Sequence, residues 1–474
     1  MDFSRAEHTI VLSDIHLSDA EPPHPKNPLW KRFKRPRYFI DRSFRDFLEH
    51  IAEKIETPIE LILNGDIFDF DSVMAMPPQG TFHLNWLERA RGLGPEEEKS
   101  RFKIRTILAD HPVWTESVRN FVLAGNRVVF VIGNHDIELH WMKVRQDLVD
   151  CLELPPEHAK AVRFCEWFYI SNQDTLVEHG NQYDAYTLTN NPINPWIKKG
   201  GKITIRLPFG NLAGKFMLNG MGLFNPHADS SFIRSSLSDY LRFYYKYILW
   251  TQPFLLIPWF WGALATVAIS ISESILPALK DPLSVGVQVE DIAARSNAPI
   301  AAVWTLKELH VHPATLNPFK ILRELWLDRA IILALIVYVS FQFFSFINVF
   351  ISVSFWWFIV PILLLLPLFI FYARSVESEV ASMLSATAEH APLAAKIAGV
   401  KRVVQGHTHI EKHRWILDVE YLNTGTWSPA FRDVECTERY GRKCFAWIRP
   451  GEAGRTADLF EWCDGDIRKI EPEA

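Results

Sequence analysis

Five short polar motifs, each at the end of an apolar run, constrain the fold of this chain more than any other feature. The motifs are Asp14-Ile15-His16, Gly65-Asp66, Gly133-Asn134-His135-Asp136, His179-Gly180 and Gly406-His407-Thr408-His409. Continuous apolar runs are typical of strands buried on both faces, and layered α/β folds bind ligands beyond the carboxyl ends of their strands. If the five motifs form one site, the two ends of the chain fold together, although residues 181–405 separate the last two motifs.

The outer parts of the chain alternate between strand and helix patterns, which predicts a layered α/β fold. The predicted strands are Thr9–Leu12, Ile59–Leu63, Val128–Ile132, Val400–Gln405 and Glu420–Gly425, and helices are predicted near Phe39–Ile55 and His111–Ala124. We therefore predict one α/β domain in two parts, residues 1–190 and 391–474, interrupted by residues 191–390.

The inserted region has the composition of a membrane segment. Ala330–Tyr372 is almost entirely apolar, and as one helix it would be about 65 Å long. Because the hydrocarbon core of a bilayer is only about 30 Å thick, two passes fit better than one. We predict a mainly α-helical insert with a spanning hairpin, 330–351 and 355–372, that turns at Ser352-Val353-Ser354. The alternative is that these are buried core helices of a soluble domain.

The motifs also restrict the membrane topology. Both halves of a shared site lie on the same side of the membrane, so the number of crossings between them is even. A second apolar segment, 248–271, carries Pro253 and Pro258. Because three spanning segments would give an odd number of crossings, this segment is either interfacial or re-entrant, or it spans in place of one helix of the hairpin. Basic residues flank both ends of the hairpin, which predicts a cytoplasmic catalytic domain at the inner (cell) membrane: they are Lys320, Arg323, Arg329 and Arg374.

The overall composition narrows the class of protein. A chain of 474 residues suggests two or three structural units. The formal net charge of -5 does not favour a nucleic-acid partner. Five cysteines without a CxxC spacing indicate reduced thiols in the cytosol.

The polar motifs together offer donors for a pair of divalent metals. Seven residues have suitable oxygen or nitrogen atoms: Asp14, His16, Asp66, Asn134, His179, His407 and His409. A carboxylate can bridge two cations, while imidazoles and an amide oxygen complete the shells. The His-x-His and Asp-x-His spacings would place each pair on one face of an extended strand. A single such motif is weak evidence, because a buried histidine is more often a core residue than a ligand; the combination of five is specific.

This combination resembles the calcineurin-like metallophosphoesterases over about the first 190 and the last 80 residues. The resemblance implies a four-layer α/β/β/α sandwich with two central sheets. It implies that Asp66 bridges two metals, that His135 contacts the phosphate or protonates the leaving group, and that Asp136 orients His135. It assigns Asp14, His16 and His409 to the first metal, and Asn134, His179 and His407 to the second.

The implied reaction is hydrolysis of a phosphoester or pyrophosphate by hydroxide that bridges the two metals. Manganese suits the donor set best, and iron or zinc are also compatible. Within the family the chain is nearest to the UDP-2,3-diacylglucosamine hydrolases, which share the Ser13–Leu17, Gly65–Asp69 and Gly406–His409 patterns. Those enzymes tend to carry arginine where this chain has His135, and they lack a membrane insert.

Three functions remain open from the sequence. The first is a membrane-anchored hydrolase of a lipid-linked or membrane-proximal substrate, the second is the same enzyme acting on soluble nucleotides or phosphoproteins, and the third is a non-catalytic metal-binding scaffold. The expected partners are a phosphorylated small molecule or lipid and the bilayer, without nucleic acid.

Further polar groups have both a functional and a structural interpretation. Asp69 and Asp71 could contact a metal-bound water but are interpreted as loop residues, and His310 and His312 are interpreted as structural. The polar run after His179 either lines the substrate pocket or stabilises a loop: Asn181, Gln182, Tyr183 and Asp184. A basic cluster either attracts a phosphorylated or anionic-lipid surface or is simply solvated: Lys31, Arg32, Lys34, Arg35 and Arg37. The segment 308–329 is predicted to form an amphipathic helix on the bilayer.

Overall fold

The computed structural model describes residues 2–223, 225, 227, 242, 244–279, 282–376, 378–380, 387–452 and 454–473. Its strands are β1 His8–Leu12, β2 Ile59–Asn64, β3 Arg127–Val131, β4 Val162–Cys165, β5 Phe168–Ser171, β6 Thr175–Glu178, β7 Trp196–Lys199, β8 Lys202–Ile205, β9 Arg402–Gln405, β10 Lys412–Ile416, β11 Val419–Asn423, β12 Cys444–Gly451, β13 Gly454–Trp462 and β14 Ile467–Ile470. All the strands predicted from the sequence are present, within two residues at each end.

The α-helices alternate with these strands and then dominate the middle of the chain. They are α1 Asp41–Lys54, α2 Trp86–Arg91, α3 Glu97–Asp110, α4 Pro112–Leu123, α5 Met142–Cys151, α6 Pro156–Ala159, α7 Phe209–Phe216, α8 Leu249–Thr251, α9 Leu256–Ile275, α10 Pro282–Arg295, α11 Ile300–Glu308, α12 Pro318–Glu324, α13 Leu327–Phe350, α14 Ile359–Ser375 and α15 Ala391–Ala398. The helices predicted near Phe39–Ile55 and His111–Ala124 correspond to α1 and α4.

The larger sheet has seven strands in the order β14-β13-β12-β1-β2-β3-β4. Strands β1, β2, β3 and β4 are parallel, and β12, β13 and β14 continue the sheet with antiparallel pairing. Because β1, β2 and β3 are parallel neighbours, their carboxyl ends lie at one edge, and this edge carries the first three polar motifs.

The smaller sheet has five strands in the order β10-β11-β9-β6-β5. Strands β6 and β9 are parallel neighbours, although the whole inserted region, residues 191–390, lies between them in sequence. Their carboxyl ends carry the His179 and His407 motifs. The two parts of the α/β domain are therefore joined within one sheet.

Three apolar clusters connect these elements. One contains side chains of α1, α3, α4 and α5 together with the larger sheet, with Phe44 and Trp114 fully buried. A second joins α10, α11 and α15 to the smaller sheet. A third draws residues from both sheets, including Val129 of β3 and Val404 of β9. These mixed α/β sheets fit a metallophosphoesterase fold.

Helix α9 packs closely on the short helix α7. A Cβ atom added at Gly262 of α9 would lie 2.5 Å from the carbonyl oxygen of Phe216, so only glycine allows this approach. Thr266 Oγ1 also donates to the carbonyl oxygen of Leu212, at 3.4 Å. One face of α9 is therefore held by the catalytic part of the chain, while Ile257 and Trp261 on its other side are exposed.

Three helical segments are long and apolar enough to cross a membrane: Leu256–Ile275, Leu327–Phe350 and Phe355–Ser375. Only 6% of the second and none of the third is buried against protein, whereas 28% of the first is buried. Helices α13 and α14 form a hairpin whose two ends are tied together. Arg329 donates to the carbonyl oxygens of Arg323 at 2.8 Å and of Val376 at 3.2 Å.

The prediction of one amphipathic helix over residues 308–329 is wrong. The segment contains the end of α11, a short 3-10 turn Ala314–Leu316, and α12, before α13 begins at Leu327. Pro313 and Pro318 lack the backbone N–H that a continuous helix requires. Asn317 caps α12 through its side chain, which accepts from the Phe319 backbone N–H at 3.2 Å.

Candidate metal centre

The five polar motifs meet between the carboxyl ends of the two sheets. Within the described residues, three compact groups of donors form there, each with all ligand atoms within 4.8 Å of one another. The first is Asp14, His16 and His409, and the second is Asp66, His179 and His407; a third, His16, Asp69 and His135, shares His16 with the first. The seventh predicted donor, Asn134, follows β3 and is 1% exposed.

The backbone at this centre is unusual. Asp14, His16, Asp66, His407 and His409 all have positive φ angles, between 52° and 69°. The expectation that the two-residue spacings lie on extended strands is therefore wrong, because β1 ends at Leu12 and β9 at Gln405. Non-glycine residues in this left-handed region are uncommon and cluster at functional sites.

Neighbouring glycines allow the side chains to converge. Gly65 has a φ of 77°, and a Cβ atom there would collide with the His179 ring. A Cβ at Gly406 would collide with Ser13 and with the Asp14 carboxylate. Both positions therefore accept only glycine if the donors are to approach each other.

The first donor group brings two imidazole nitrogens close to one carboxylate. His409 Nε2 lies 3.2 Å from Asp14 Oδ1, and His16 Nε2 lies 4.0 Å from the same oxygen. His16 Nε2 and His409 Nε2 lie only 3.1 Å apart. Two imidazole nitrogens and a carboxylate oxygen converging on one point form a donor set suited to a divalent cation.

The second group is built around Asp66. Its Oδ2 lies 3.1 Å from His179 Nε2, and His179 Nδ1 is hydrogen-bonded at 2.9 Å to the carbonyl oxygen of Asn64, which fixes the ring. His407 Nε2 lies 3.1 Å from Asp184 Oδ2. A carboxylate or carbonyl on the second ring nitrogen is the usual support of a metal-binding histidine.

Asn134 presents an unpaired oxygen to the same place. Its Oδ1 is buried without a hydrogen-bond partner among the described residues. Asn211 of α7 sets the amide orientation, because Asn134 Nδ2 donates to Asn211 Oδ1 at 3.5 Å, while Asn211 Nδ2 donates to the backbone carbonyl oxygen of Asn134 at 2.8 Å. An unpaired buried carbonyl is costly, and a cation would satisfy it.

His135, which is not one of the seven donors, contacts a different carboxylate from the one predicted. His135 Nδ1 lies 3.3 Å from Asp69 Oδ1. Asp136 instead accepts from the backbone N–H groups of Gly133 at 2.6 Å and Ile67 at 2.9 Å. Asp136 therefore joins the loops after β2 and β3, and the orienting contact expected of Asp136 is made by Asp69.

The electrostatics of the centre favour cations. Burial lowers the pKa of His135, but the Asp66 and Asp69 carboxylates outweigh burial and raise it to about 10. Burial also lowers the pKa of His179, but the Asp66 carboxylate, helped by Asp14, outweighs burial and raises it to about 9. A negative potential strong enough to protonate two buried histidines also attracts divalent ions. The donors, the unpaired amide oxygen and this potential all fit two metal ions.

Two functional candidates were not found from the sequence, His227 and Asn211. His227 stacks on His16 with ring centroids 3.9 Å apart, and its Nε2 lies 3.3 Å from Asp69 Oδ2. Asn211 of α7 contacts Asn134. Both residues lie in the predicted insert without a recognisable motif. Asp184, by contrast, belongs to the polar run after His179 that the sequence offered as pocket-lining or loop-stabilising residues, and it contacts His407.

A cavity of about 500 Å³ opens from this centre. Near the donors it is lined by Asp66, His135 and His407, and farther away by Leu325, Trp326 and Arg329, and by Val376. The second set lies at the base of the α13–α14 hairpin. One continuous space therefore connects the donors with the apolar helices.

The fold and the site define a metal-dependent hydrolase of the layered α/β type. Residues 8–213 match the family model of the calcineurin-like phosphoesterases, and this part of the chain belongs to that family. The family implies a metal-dependent phosphoester hydrolase that uses divalent metals. No curated protein matches the chain. The matched range ends at Ala213, so it includes Asn211 but not His407 or His409, which the structure adds to the site.

Proposed function

We propose that this chain is a membrane-attached, dinuclear-metal hydrolase of a lipid-linked or membrane-proximal phosphoester or pyrophosphate. The observation that carries the proposal is the cavity from the donor groups to the hairpin base. An amphiphile in this cavity would have its phosphoryl group at Asp66 and His407 and its apolar part against Leu325 and Val376. A purely soluble substrate needs no such connection.

The residues present fit two metal ions in the roles that the family resemblance implies. Asp14, His16 and His409 would hold one ion, Asn134, His179 and His407 the other, and Asp66 would contact both. Such a pair supplies Lewis acidity, which lowers the pKa of a water molecule towards neutral pH and neutralises charge on phosphoryl oxygens. Manganese is the proposed ion because the shells mix carboxylate, amide and imidazole donors.

His135 is the proposed general acid. It lines the cavity, it is half-buried, and the Asp69 carboxylate keeps its ring protonated and oriented. An imidazolium in this position donates a proton to the departing oxygen of the substrate. A scaffold without catalysis would have no use for such a donor beside a complete ligand set.

Membrane attachment through α13 and α14 follows from their exposed apolar surfaces. The donor groups draw residues from both sides of the insert, so an even number of passes is needed. Because α9 is packed on α7, we propose that it lies at the bilayer surface and that the hairpin alone spans. The basic flanks favour a cytoplasmic site at the inner (cell) membrane.

The four-layer α/β/β/α sandwich is proposed for the catalytic domain. It is supported by helices on the outer side of each sheet and by the apolar cluster shared between the sheets. The domain division at residues 190 and 390 remains a proposal, since α7 of the insert contributes Asn211 to the centre.

The test is turnover by detergent-purified protein with added Mn²⁺. The substrates are p-nitrophenyl phosphate, bis-p-nitrophenyl phosphate and a UDP-linked lipid, with exposed-site variants Asp46→Ala and His83→Ala as matched controls. Asp66→Ala is expected to abolish turnover of all three. His135→Ala is expected to lose roughly 100- to 10,000-fold on the lipid substrate. It should lose much less on the p-nitrophenyl esters, because p-nitrophenolate leaves without a proton.

The results separate the three functions. Selective cleavage of the lipid substrate supports the proposal. Activity on the small esters alone, retained after deletion of residues 327–375, would support a soluble substrate. Bound metal with no turnover of any phosphoester would leave the non-catalytic scaffold.

A further inference from the structure

A second, smaller cavity lies beside the metal centre. Its volume is about 50 Å³, and its walls include His16, His135, Asp69 and Lys31. A cavity needs only about 10–15 Å³ to hold a water molecule, so this space admits a small polar group. His135 lines both this cavity and the larger one.

Lys31 is the unusual residue of the small cavity. It is only 4% exposed, and its ammonium makes no hydrogen bond or ion pair within the described part of the chain. Burial, reinforced by the nearby Lys34 charge, lowers the pKa of Lys31 to about 8, although the Glu21, Asp19 and Asp69 carboxylates act in the opposite direction. A buried charge without a hydrogen-bonded partner is destabilising, and proteins seldom keep one without a use.

The other members of the basic cluster are already engaged. Lys34 forms an ion pair with Asp19 at 2.5 Å and donates to the carbonyl oxygen of Ser72 at 2.7 Å. Arg32 donates to Tyr38 Oη at 2.7 Å, Arg35 donates to the carbonyl oxygen of Pro28 at 2.6 Å, and Arg37 lies over the Tyr38 ring. Only Lys31 faces the cavity with an unused charge.

The backbone also holds Lys31 in a specific orientation. Its φ and ψ angles are both 40°, in the left-handed region, and its N–H donates to the carbonyl oxygen of Gly222 at 2.6 Å. A β-region conformation would avoid this strain. Strained backbone and an unpaired buried charge at the same residue, next to a catalytic centre, indicate a binding role.

We propose that Lys31 forms a subsite for a second phosphoryl group, adjacent to the scissile one. This proposal rests on the proposed function and narrows its substrate class to diphosphates. Water adds to the scissile phosphorus, the bond from this phosphorus to the bridging oxygen breaks, and the electron pair leaves with the second phosphate. His135 donates its proton to that oxygen, and Lys31 binds the departing phosphate.

Equilibrium binding tests the subsite without requiring turnover. Calorimetry compares inorganic phosphate with inorganic pyrophosphate on the full-length protein in detergent, at one fixed concentration of free Mn²⁺. We expect wild-type protein to bind pyrophosphate at least roughly tenfold more tightly, since a charge-assisted hydrogen bond is added. Lys31→Met and Lys31→Gln are expected to remove this preference.

Lys26→Met is the matched control, because it removes an exposed lysine from the same loop. It should leave the binding ratio unchanged. Lys31→Met should unfold at the same temperature as wild type or higher, because it removes an unpaired buried charge. The subsite would be overturned if the ratio of pyrophosphate affinity to phosphate affinity were the same in Lys31→Met and Lys26→Met. Equal affinity of the wild-type protein for the two anions would also overturn it.

The proposed function is tested separately by turnover of p-nitrophenyl phosphate. Turnover without a pyrophosphate preference removes the subsite and leaves the hydrolase. A preference that depends on Lys31, with no turnover of any phosphoester, removes the hydrolase and leaves an anion site.

Discussion

Replacing Asn211 by alanine should weaken metal binding from outside the ligand shell. Asn211 is completely buried on α7, and its Nδ2 donates to Asp71 Oδ2 at 2.6 Å and to the Asn134 carbonyl at 2.8 Å. The bond to a carboxylate contributes about 1.5–3 kcal/mol and the neutral bond about 0.5–1.5 kcal/mol. Asn211→Ala should therefore lower the free energy of unfolding by about 2–4 kcal/mol.

The effect on metal affinity follows from the orientation of Asn134. Without Asn211, nothing described in the structure keeps Asn134 Nδ2 turned away from the centre and Oδ1 turned towards it. Removing an outer partner of a metal ligand typically costs about 10- to 100-fold in affinity. We expect this loss for one Mn²⁺ ion of two, measured by competition with a fluorescent chelator.

Asn219 provides a matched control for the loss of stability. It is a buried asparagine near the same helix, and its Nδ2 donates to the carbonyl oxygens of Asp71 at 2.8 Å and Arg91 at 3.1 Å. It does not touch Asn134. Asn219→Ala should destabilise the protein comparably and leave both Mn²⁺ affinities unchanged. Equal Mn²⁺ affinities in the Asn211 and Asn219 variants would refute the orienting role.

Three further predictions concern acid stability, the large cavity and metal removal. Burial lowers the pKa of His310 to about 3, so the unfolded state takes up a proton below pH 6.5 that the folded state refuses. The contribution of His310 to the free energy of unfolding is complete above pH 6.5 and should fall by about 2 kcal/mol at pH 5. Thermal unfolding at both pH values checks this: His310→Phe should not show the loss, and the control His312→Gln should show it. Gly214 lines the large cavity, and a Cβ atom added there meets no atom within 4 Å. Gly214→Leu should therefore lower turnover of the lipid substrate at least tenfold, while turnover of p-nitrophenyl phosphate changes little. The control Gly286→Leu, at an equally unobstructed position on α10, should change neither rate. Removing divalent ions with a chelator should lower the unfolding temperature, because ions at 100 times their dissociation constant stabilise by about 2.7 kcal/mol, and an unchanged unfolding temperature would contradict a metal centre.

The parallel strands β1, β2, β3, β9 and β11 were predictable because buried strands leave continuous apolar runs, whereas the short parallel strands β4 and β6 were not predicted. Val128–Ile132 and Val400–Gln405 are examples, and both lead directly into site residues. Strands β13 and β14 were not predicted, since their apolar residues alternate with polar ones, whereas β12 was missed although it begins with the apolar run Cys444–Ile448. In β13, for example, the buried Ala457 and Leu459 lie on the opposite face of the strand from Asp458, so they produce no continuous run.

The geometry of the donors was less predictable than their identity. Residue type and order indicated Asp14, His16, His407 and His409 correctly as neighbours, but the assumed extended backbone was wrong. Left-handed conformations at non-glycine residues depend on contacts such as the Asp14 carboxylate accepting from the His407 N–H at 3.1 Å. Such contacts join residues almost four hundred positions apart, so no local pattern records them. The same holds for His227 and Asn211.

The sheet topology explains why an apolar helical hairpin can be inserted at this point of the chain. Strands β6 and β9 are parallel neighbours, so the chain must cross over between them, and α15, which packs on the smaller sheet immediately before β9, serves as the crossover helix. Everything inserted before α15 leaves the sheet at the carboxyl end of β6. That end carries His179 and is one wall of the metal centre. A segment inserted there begins beside the donors, and α7 and the hairpin base consequently line the same cavity as Asp66 and His407.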